Sequence, residues 1–418
     1  MTQGTTMNGT YKLASIDVHK SMLAVVITDV TAAGEFCFQR RKFGTLDSEL
    51  RALSAWLEAE QVREAVMEST AQYGKPVWRQ LEGQCQLFLA QAQSNRAPKG
   101  RKGDFRDAER LARRHIAGEL ILSFVPNPEQ RLWRTLTRAK YQLTRERVRL
   151  HSQVESLLED ARIKLATCVS DLLGLSSRRM LHGLAAGQTD PAALAALAEP
   201  ELRATPEQLV DALRAAGTMS PLHRQILCLF LERVELVEKQ MAMLKGSIAS
   251  ALREHQQAVI RLAAVPGFGI DSAEQVVAEV GPQAATFDSA GQMASWVGVC
   301  PGREESAAVS TSDRSPKGNR VMRRVLNQVA NAAVKTKGSV FQSLYRRLVP
   351  RLGHNKAIWA IAHRLCRLAW KILHQQVQYI EYGPQRDQKA LQHRLAKLAR
   401  QLRSFGYLVT PPRTEAAS

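Results

Sequence analysis

Apolar and polar positions change period several times along this chain. Tyr11 to Val18 reads as a strand, His19 and Lys20 form a turn, and Met22 to Thr28 reads as a second strand. Gly34 to Phe43 gives a third, with Phe36 and Phe38 alternating. From Thr45 to Glu60 the period lengthens, because Leu46, Leu50, Leu53 and Leu57 recur at helical spacing. Two short apolar strands follow, Glu64 to Ser69 and Gln86 to Gln91, and a helix opens at Gly103–Asp104.

Three strands, a helix, a strand, a helix, a strand and a final helix is the order of a ribonuclease-H-like α/β domain. After Pro126 and Pro128 the pattern is helical. Leu136, Leu143, Leu150 and Leu157 recur every seven residues, with Val154 and Ala161 between, as in a coiled-coil seam. Lys140 and Arg147 interrupt the second seam position, so a partner within the chain and a second copy are both open, with dimerisation modestly favoured. Asp190 to Pro221 is punctuated by prolines and reads as short helices. Leu222 to His255 is a second long helix with both seam positions apolar (Leu227, Val234, Met241, Ile248; Phe230, Val237, Leu244, Ala251). Such a helix packs on another helix.

Composition narrows the partners. Among 418 residues, 58 Lys and Arg oppose 39 Asp and Glu, a formal charge of +19, which points to a polyanion. No apolar run is long enough to span a bilayer, and the polar start Met1 to Thr10 lacks a signal region, so a cytoplasmic, nucleoid-associated protein without a membrane partner is expected. Six scattered cysteines contain no Cys-x-x-Cys pair and read as reduced thiols.

Acids supply the candidate chemistry. Asp17 interrupts an apolar strand, where an uncompensated carboxylate costs several kcal/mol. Glu68 ends another strand of that sheet, while Asp104 and Asp107 share one face of a helix at i, i+3. Four carboxylates from separate elements suit two Mg²⁺ ions about 3.5–4 Å apart. The alternatives are strand-end acids paired with Lys12 or Lys20 and a helix start where Asp is favoured by the dipole. The basic loop before Asp104 (Arg96, Lys99, Arg101, Lys102) is expected to attract phosphate.

The last third offers a hydroxyl among cations. Val265-Pro266-Gly267-Phe268-Gly269 ahead of a helix is similar to a helix-hairpin-helix element, and a Gly-rich turn between packed helices is the other reading. Pro301 to Ala308 carries Ser306 beside small residues. Arg314, Lys317, Arg320, Arg323 and Arg324 then crowd into eleven positions. Small neighbours leave room for a phosphodiester and cations stabilise its oxygens. A polar loop before a phosphate-positioning helix fits the same residues.

Three stretches carry a resemblance: Ile16-Asp17-Val18-His19-Lys20; Val66-Met67-Glu68-Ser69-Thr70 with Tyr73 and Lys75-Pro76-Val77-Trp78; and Gly100 to Ala108. They resemble the motifs of the insertion sequence 110/1111 group of transposases, from about Leu13 to Ile372. That family often has Gly where Ala71 stands and an aromatic where Gly74 stands. The resemblance implies a RuvC-like domain whose Asp-Glu-Asp-Asp tetrad falls on Asp17, Glu68, Asp104 and Asp107 and holds Mg²⁺. The family's C-terminal Pro-Gly-x-x-Glu-Ser-Ala-Gly stretch places its serine nucleophile on Ser306, with Ala308 in place of Gly and Ser310 and Ser312 as alternatives; Lys317, Gly318, Asn319 and Arg320 match downstream.

The expected architecture is therefore α/β plus all-α. It comprises a ribonuclease-H/RuvC-like domain over 11–128, a coiled-coil segment over 129–170, and a helical linker over 171–257. A mainly helical serine transposase domain over 258–380 and a basic helix with a disordered tail over 381–418 complete it. The implied function is a DNA recombinase that moves its own insertion sequence, forming a phosphoserine link. Its implied partners are the element ends and target DNA, an element-encoded guide RNA (bridge or seeker RNA), and further copies of the chain, as a dimer or tetramer. Two other classes fit the residues: a junction endonuclease using water as nucleophile, and a non-catalytic nucleic-acid-binding protein derived from a transposase.

Overall fold

The computed structural model describes residues 11–30, 34–69, 72–91, 95, 103–301, 304–306, 309–312, 315–381, 383, 396, 397, 399, 400 and 403. Contacts divide the chain into two compact units, Met1–Pro126 and Asn127–Ser418.

In the first unit, β1 (Tyr11–Val18), β2 (Met22–Val30) and β3 (Phe36–Gly44) form an antiparallel meander, followed by α1 (Asp47–Ala59). Then come β4 (Glu64–Ser69), α2 (Gly74–Leu81), β5 (Gln86–Ala90), α3 (Asp104–Ile116) and β6 (Leu122–Ser123). The sheet order is β3-β2-β1-β4-β5-β6, with β4 parallel to both β1 and β5 and the other pairs antiparallel. This is the ribonuclease-H-like arrangement; β6 is too short to register as a periodic pattern. Alternation sorts the side chains into two layers. Ala14, Ile16, Val18, Val25, Ile27 and Met67 pack with Leu50, Leu53, Leu57, Val77 and Leu81 from α1 and α2. Leu13, Val66 and Ala90 face the other way and pack on Leu111 and Ala112 of α3.

The second unit is helical apart from one hairpin. Asn127 caps α4 (Pro128–Asp160) by accepting from the Gln130 N–H, and Pro128 suits the first helical position. Short helices α5 (Leu165–Cys168), α6 (Leu175–Ala185), α7 (Pro191–Ala195) and α8 (Pro206–Ala212) lead to α9 (Pro221–Ala251). The last group is α10 (Gln256–Ala263), α11 (Ile270–Val280), α12 (Ala290–Val297), the hairpin β7 (Glu304–Ser306) and β8 (Val309–Ser312), α13 (Arg320–Ala333) and α14 (Val340–His374). Gly353, at φ 73°, breaks α14 three residues after Pro350.

The two long helices pair with each other: Leu150 of α4 packs in one cluster with Val234 and Val237 of α9. The cations that interrupt the seam find acids in the same unit. Lys140 lies 2.6 Å from Asp271, and Arg147 donates to Glu238 at 2.8 Å. A seam position can thus hold a cation without breaking the pair. The proline-punctuated stretch supplies short helices around a second core that includes Leu181, Leu184, Leu194 and Leu209.

Candidate nucleic-acid processing site

Register places the first two acids. Asp17 on β1 is the direct partner of Glu68 on the parallel strand β4. In a parallel pair, register partners point to the same face, and that face is the one covered by α3. The same row continues through Ala24 of β2 to Lys42 of β3, and through Glu68 to Ala90 of β5. Small side chains on either side of the acids leave room for the end of a helix. Helix α3 occupies that space: Ala108, Leu111 and Ala112 are buried, and Asp104 and Asp107 stand in the turn just before them.

The structure therefore gathers all four acids at one end of the sheet. Asp17 Oδ2 is 3.1 Å from His19 Nε2, which is 3.7 Å from Asp104 Oδ1. Asp17, His19 and Asp104 offer ligand atoms that all lie within 4.8 Å of one another. Glu68 and Asp107 stand outside that trio but interact with it electrostatically. Burial holds the Asp17 carboxyl above the ordinary carboxylate range; His19 opposes this, and Asp107 and Asp104 push the same way. Burial also raises Glu68, with Arg110 and Arg114 opposing and Asp17 and Asp107 adding to the rise. Mutual repulsion of this kind is what a divalent cation relieves, and carboxylate oxygens suit a hard one. The residues present fit the ion.

Two neighbours escaped the sequence reading. His19 lies two residues beyond Asp17, just past the end of β1, and its ring reaches back to the Asp17 carboxylate. Lys42 Nζ is 3.5 Å from Asp104 Oδ2 and sits 5.5 Å from the centroid of Phe105. Nothing local to β3 foretells that contact, because it depends on the register across three strands. Arg96, Lys99, Arg101 and Lys102 lie outside the described residues, as does Arg314.

In the second unit, Ser306 ends β7 and pairs with Val309 of β8, while Glu305 pairs with Ser310 and Glu304 with Ser312. The expected loop is thus a short hairpin, in which Ser306 occupies the innermost pair. Side chains of these strands lie outside the described residues. The basic residues downstream divide into two kinds. Lys317 and Arg320 are exposed and form no ion pair among the described residues. Arg323 donates to the Gly298 and Pro316 carbonyls and stacks 4.6 Å from the Trp359 ring centroid. Arg324 lies 3.3 Å from the Tyr141 centroid and donates to Gln275 Oε1 at 2.6 Å. Asn319 caps α13, accepting from Val321 and Met322 N–H groups at 3.0 Å, and donates to Glu279 at 3.0 Å. Gly318 lies so close to the Val297 carbonyl that a β-carbon would stand 2.2 Å from its oxygen. The turn at Gly267, at φ 90°, backs onto α13 in the same way, with a β-carbon 2.4 Å from the Val329 oxygen. Helix packing accounts for that glycine.

Two family models match this chain. One, described as "Transposase", of the DEDD type found in the IS110 group, matches residues 14–163. The other, "Transposase IS116/IS110/IS902 family", matches residues 260–346. Together they cover more than half of the chain. The chain belongs to the IS110 group of insertion-sequence transposases. The four acids lie inside the first match, and Ser306, Lys317 and Asn319 lie inside the second. Over 179 residues the chain is 25% identical to a protein of Mycobacterium paratuberculosis named "Insertion element IS900 uncharacterized 42 kDa protein". That similarity covers 42% of this chain and 44% of the relative, under half the length of each. Among the described residues of this family member, no helix is long and apolar enough to cross a membrane.

Proposed function

We propose that this chain is a DNA transposase that cuts and rejoins the ends of its own insertion sequence, with Asp17, Glu68, Asp104 and Asp107 holding Mg²⁺ and Ser306 as nucleophile. The observation that carries the reading is the meeting of four carboxylates from β1, β4 and α3 at one end of a ribonuclease-H-like sheet. Burial raises the proton affinity of Asp17 and Glu68, and the neighbouring carboxylates add to it, as in a charge cluster that a counter-cation would relieve.

Ser306 Oγ attacks the phosphorus of a DNA phosphodiester. An O–P bond forms to the serine, the bond to one deoxyribose oxygen breaks, the hydroxyl proton is lost, and the departing oxygen takes up a proton. The phosphoserine diester keeps the energy of the broken bond. A strand-end hydroxyl then attacks the same phosphorus and releases Ser306, which recovers its proton. A bound divalent ion supplies charge stabilisation for the phosphate oxygens and for the leaving group. Exposed Lys317 and Arg320 attract the DNA backbone, and Arg96, Lys99, Arg101 and Lys102, which precede Asp104 in the sequence, do the same. Acids and serine come together between copies of the chain, as a dimer or tetramer in the cytoplasm at the nucleoid, and an element-encoded guide RNA selects the DNA. The +19 charge gives such an RNA a surface to occupy.

The test incubates the purified chain with DNA carrying the ends of its element, Mg²⁺ and the co-purified RNA. A protein–DNA adduct resistant to detergent, lost in Ser306→Ala and in Asp17→Asn, is the expected result. Cleavage that persists undiminished in Ser306→Ala would instead identify a metal-dependent endonuclease with water as nucleophile.

A further inference from the structure

Between α13 and the start of the second segment of α14 lies a cleft of about 540 Å³. Ser315, Arg323, Asn327, Asn331, His354, Asn355, Ile358 and Trp359 line it. No carboxylate is among these residues, whereas three carboxamides, an imidazole and a hydroxyl are. An apolar wall comes from Ile358 and the Trp359 ring. The break at Gly353 starts a new helical segment at His354 and Asn355, bringing both to the cleft. None of the residues already assigned to metal or nucleophile lies in it.

Its polar groups are held in place from behind. Asn331 Nδ2 donates to the Asn327 backbone oxygen at 2.9 Å and to Asn327 Oδ1 at 3.3 Å. Trp359 Nε1 donates to Ser315 Oγ at 2.6 Å, while Arg323 covers the indole. The Tyr345 hydroxyl and His354 Nδ1 are 2.7 Å apart, so the tautomer that accepts there keeps Nε2–H as a donor. Arg323 is thus a fixed positive wall rather than a mobile cation.

We propose that this cleft is a nucleotide-binding site that takes one unpaired nucleobase of a DNA or RNA strand. Carboxamides match the paired donors and acceptors on a base edge, adenine above all, and a planar apolar wall suits the ring. The volume falls in the range of small-ligand pockets and is too confined for the face of a duplex. A polyanion enters without meeting a carboxylate, and exposed Lys317 and Lys356 stand next to the lining residues along the chain for its phosphates. The proposal rests on reading this chain as a nucleic-acid enzyme; Ser315 of the cleft stands three residues after the end of β8 in the sequence.

The experiment uses the full-length chain carrying Ser306→Ala, in EDTA, so that binding is read without cutting. Single-stranded 20-mers of DNA and of RNA, each with a central 5-iodouracil, are photo-crosslinked and the adducts mapped by mass spectrometry. Adducts on peptides containing Asn327–Asn331 or His354–Trp359 are expected, and the arm that gives them identifies the strand as DNA or RNA. Asn327→Ala with Asn355→Ala, both at exposed positions, should weaken single-strand binding about tenfold and leave duplex binding within twofold. Circular dichroism checks that the double variant is folded. Adducts confined to other peptides, or equal single-strand affinity in a folded double variant, would overturn the proposal. Failure of the transposase reading would show separately, as no detergent-resistant adduct from the unmutated chain.

Discussion

Arg138 on α4 meets the fully buried carboxylate of Glu279 on α11 through two parallel bonds of 2.8 and 2.9 Å. Arg134 adds a second cation 3.5 Å away, and Asn319 donates to the same acid. Arg138 belongs to the stretch matched by the first family model, and Glu279 and Asn319 to the stretch matched by the second. One buried acid therefore ties the long helix to the segment that leads out of the serine hairpin.

Removing Arg138 leaves a buried acid with Arg134 and Asn319 as its remaining partners. Arg138→Ala should lower the stability of the helical unit by about 3 kcal/mol, read as a drop in the urea midpoint at unchanged slope. Replacing Glu279 by Gln keeps the bonds to Asn319 and one arginine and should cost less. Equal midpoints for wild type and Arg138→Ala would contradict this account.

Asp17 and Glu68 bind protons more tightly when folded than ordinary carboxylates do. A raised acid pKa means that the folded chain holds more protons than the unfolded one in the window just above the usual carboxylate range. Stability of the first unit therefore falls as pH rises through that window. In EDTA at neutral pH, Asp17→Asn should melt higher than wild type, by roughly 4 °C for each kcal/mol relieved. Mg²⁺ should raise the wild-type melting temperature and leave the variant nearly unmoved. Identical metal-induced shifts in both proteins would remove Asp17 from the ion site.

The two kinds of arginine after the hairpin should separate in salt titrations. Lys317→Ala and Arg320→Ala should each weaken DNA binding and reduce the slope of log K against log salt by about 1, without changing thermal stability. Arg324→Ala should do the reverse, lowering stability because Tyr141 and Gln275 lose their partner. A salt slope that drops for Arg324→Ala alone would show the assignment to be inverted.

Leu222, Leu229, Leu236 and Met243 recur every seven residues on the outer side of α9, each more than half exposed. Such a stripe fits a second copy of the chain. Leu229→Glu with Leu236→Glu should shift the mass measured by light scattering toward the monomer while the helical content stays the same. An unchanged mass would show that this stripe is not a contact between copies.

Much of this protein was written in period and spacing. The strands around Asp17, the long helices and the i, i+3 placing of Asp104 and Asp107 follow from local chemistry, because each depends on residues a few positions apart. The tertiary structure decided what depends on distant partners. Register set Lys42, Asp17 and Glu68 in one row that runs over four strands, and a buried acid drew Arg138 toward α11. The seam of α4 was equally legible as a contact within the chain or between copies. Its cations Lys140 and Arg147 chose acids of the same unit, a choice of partner that no sequence period encodes.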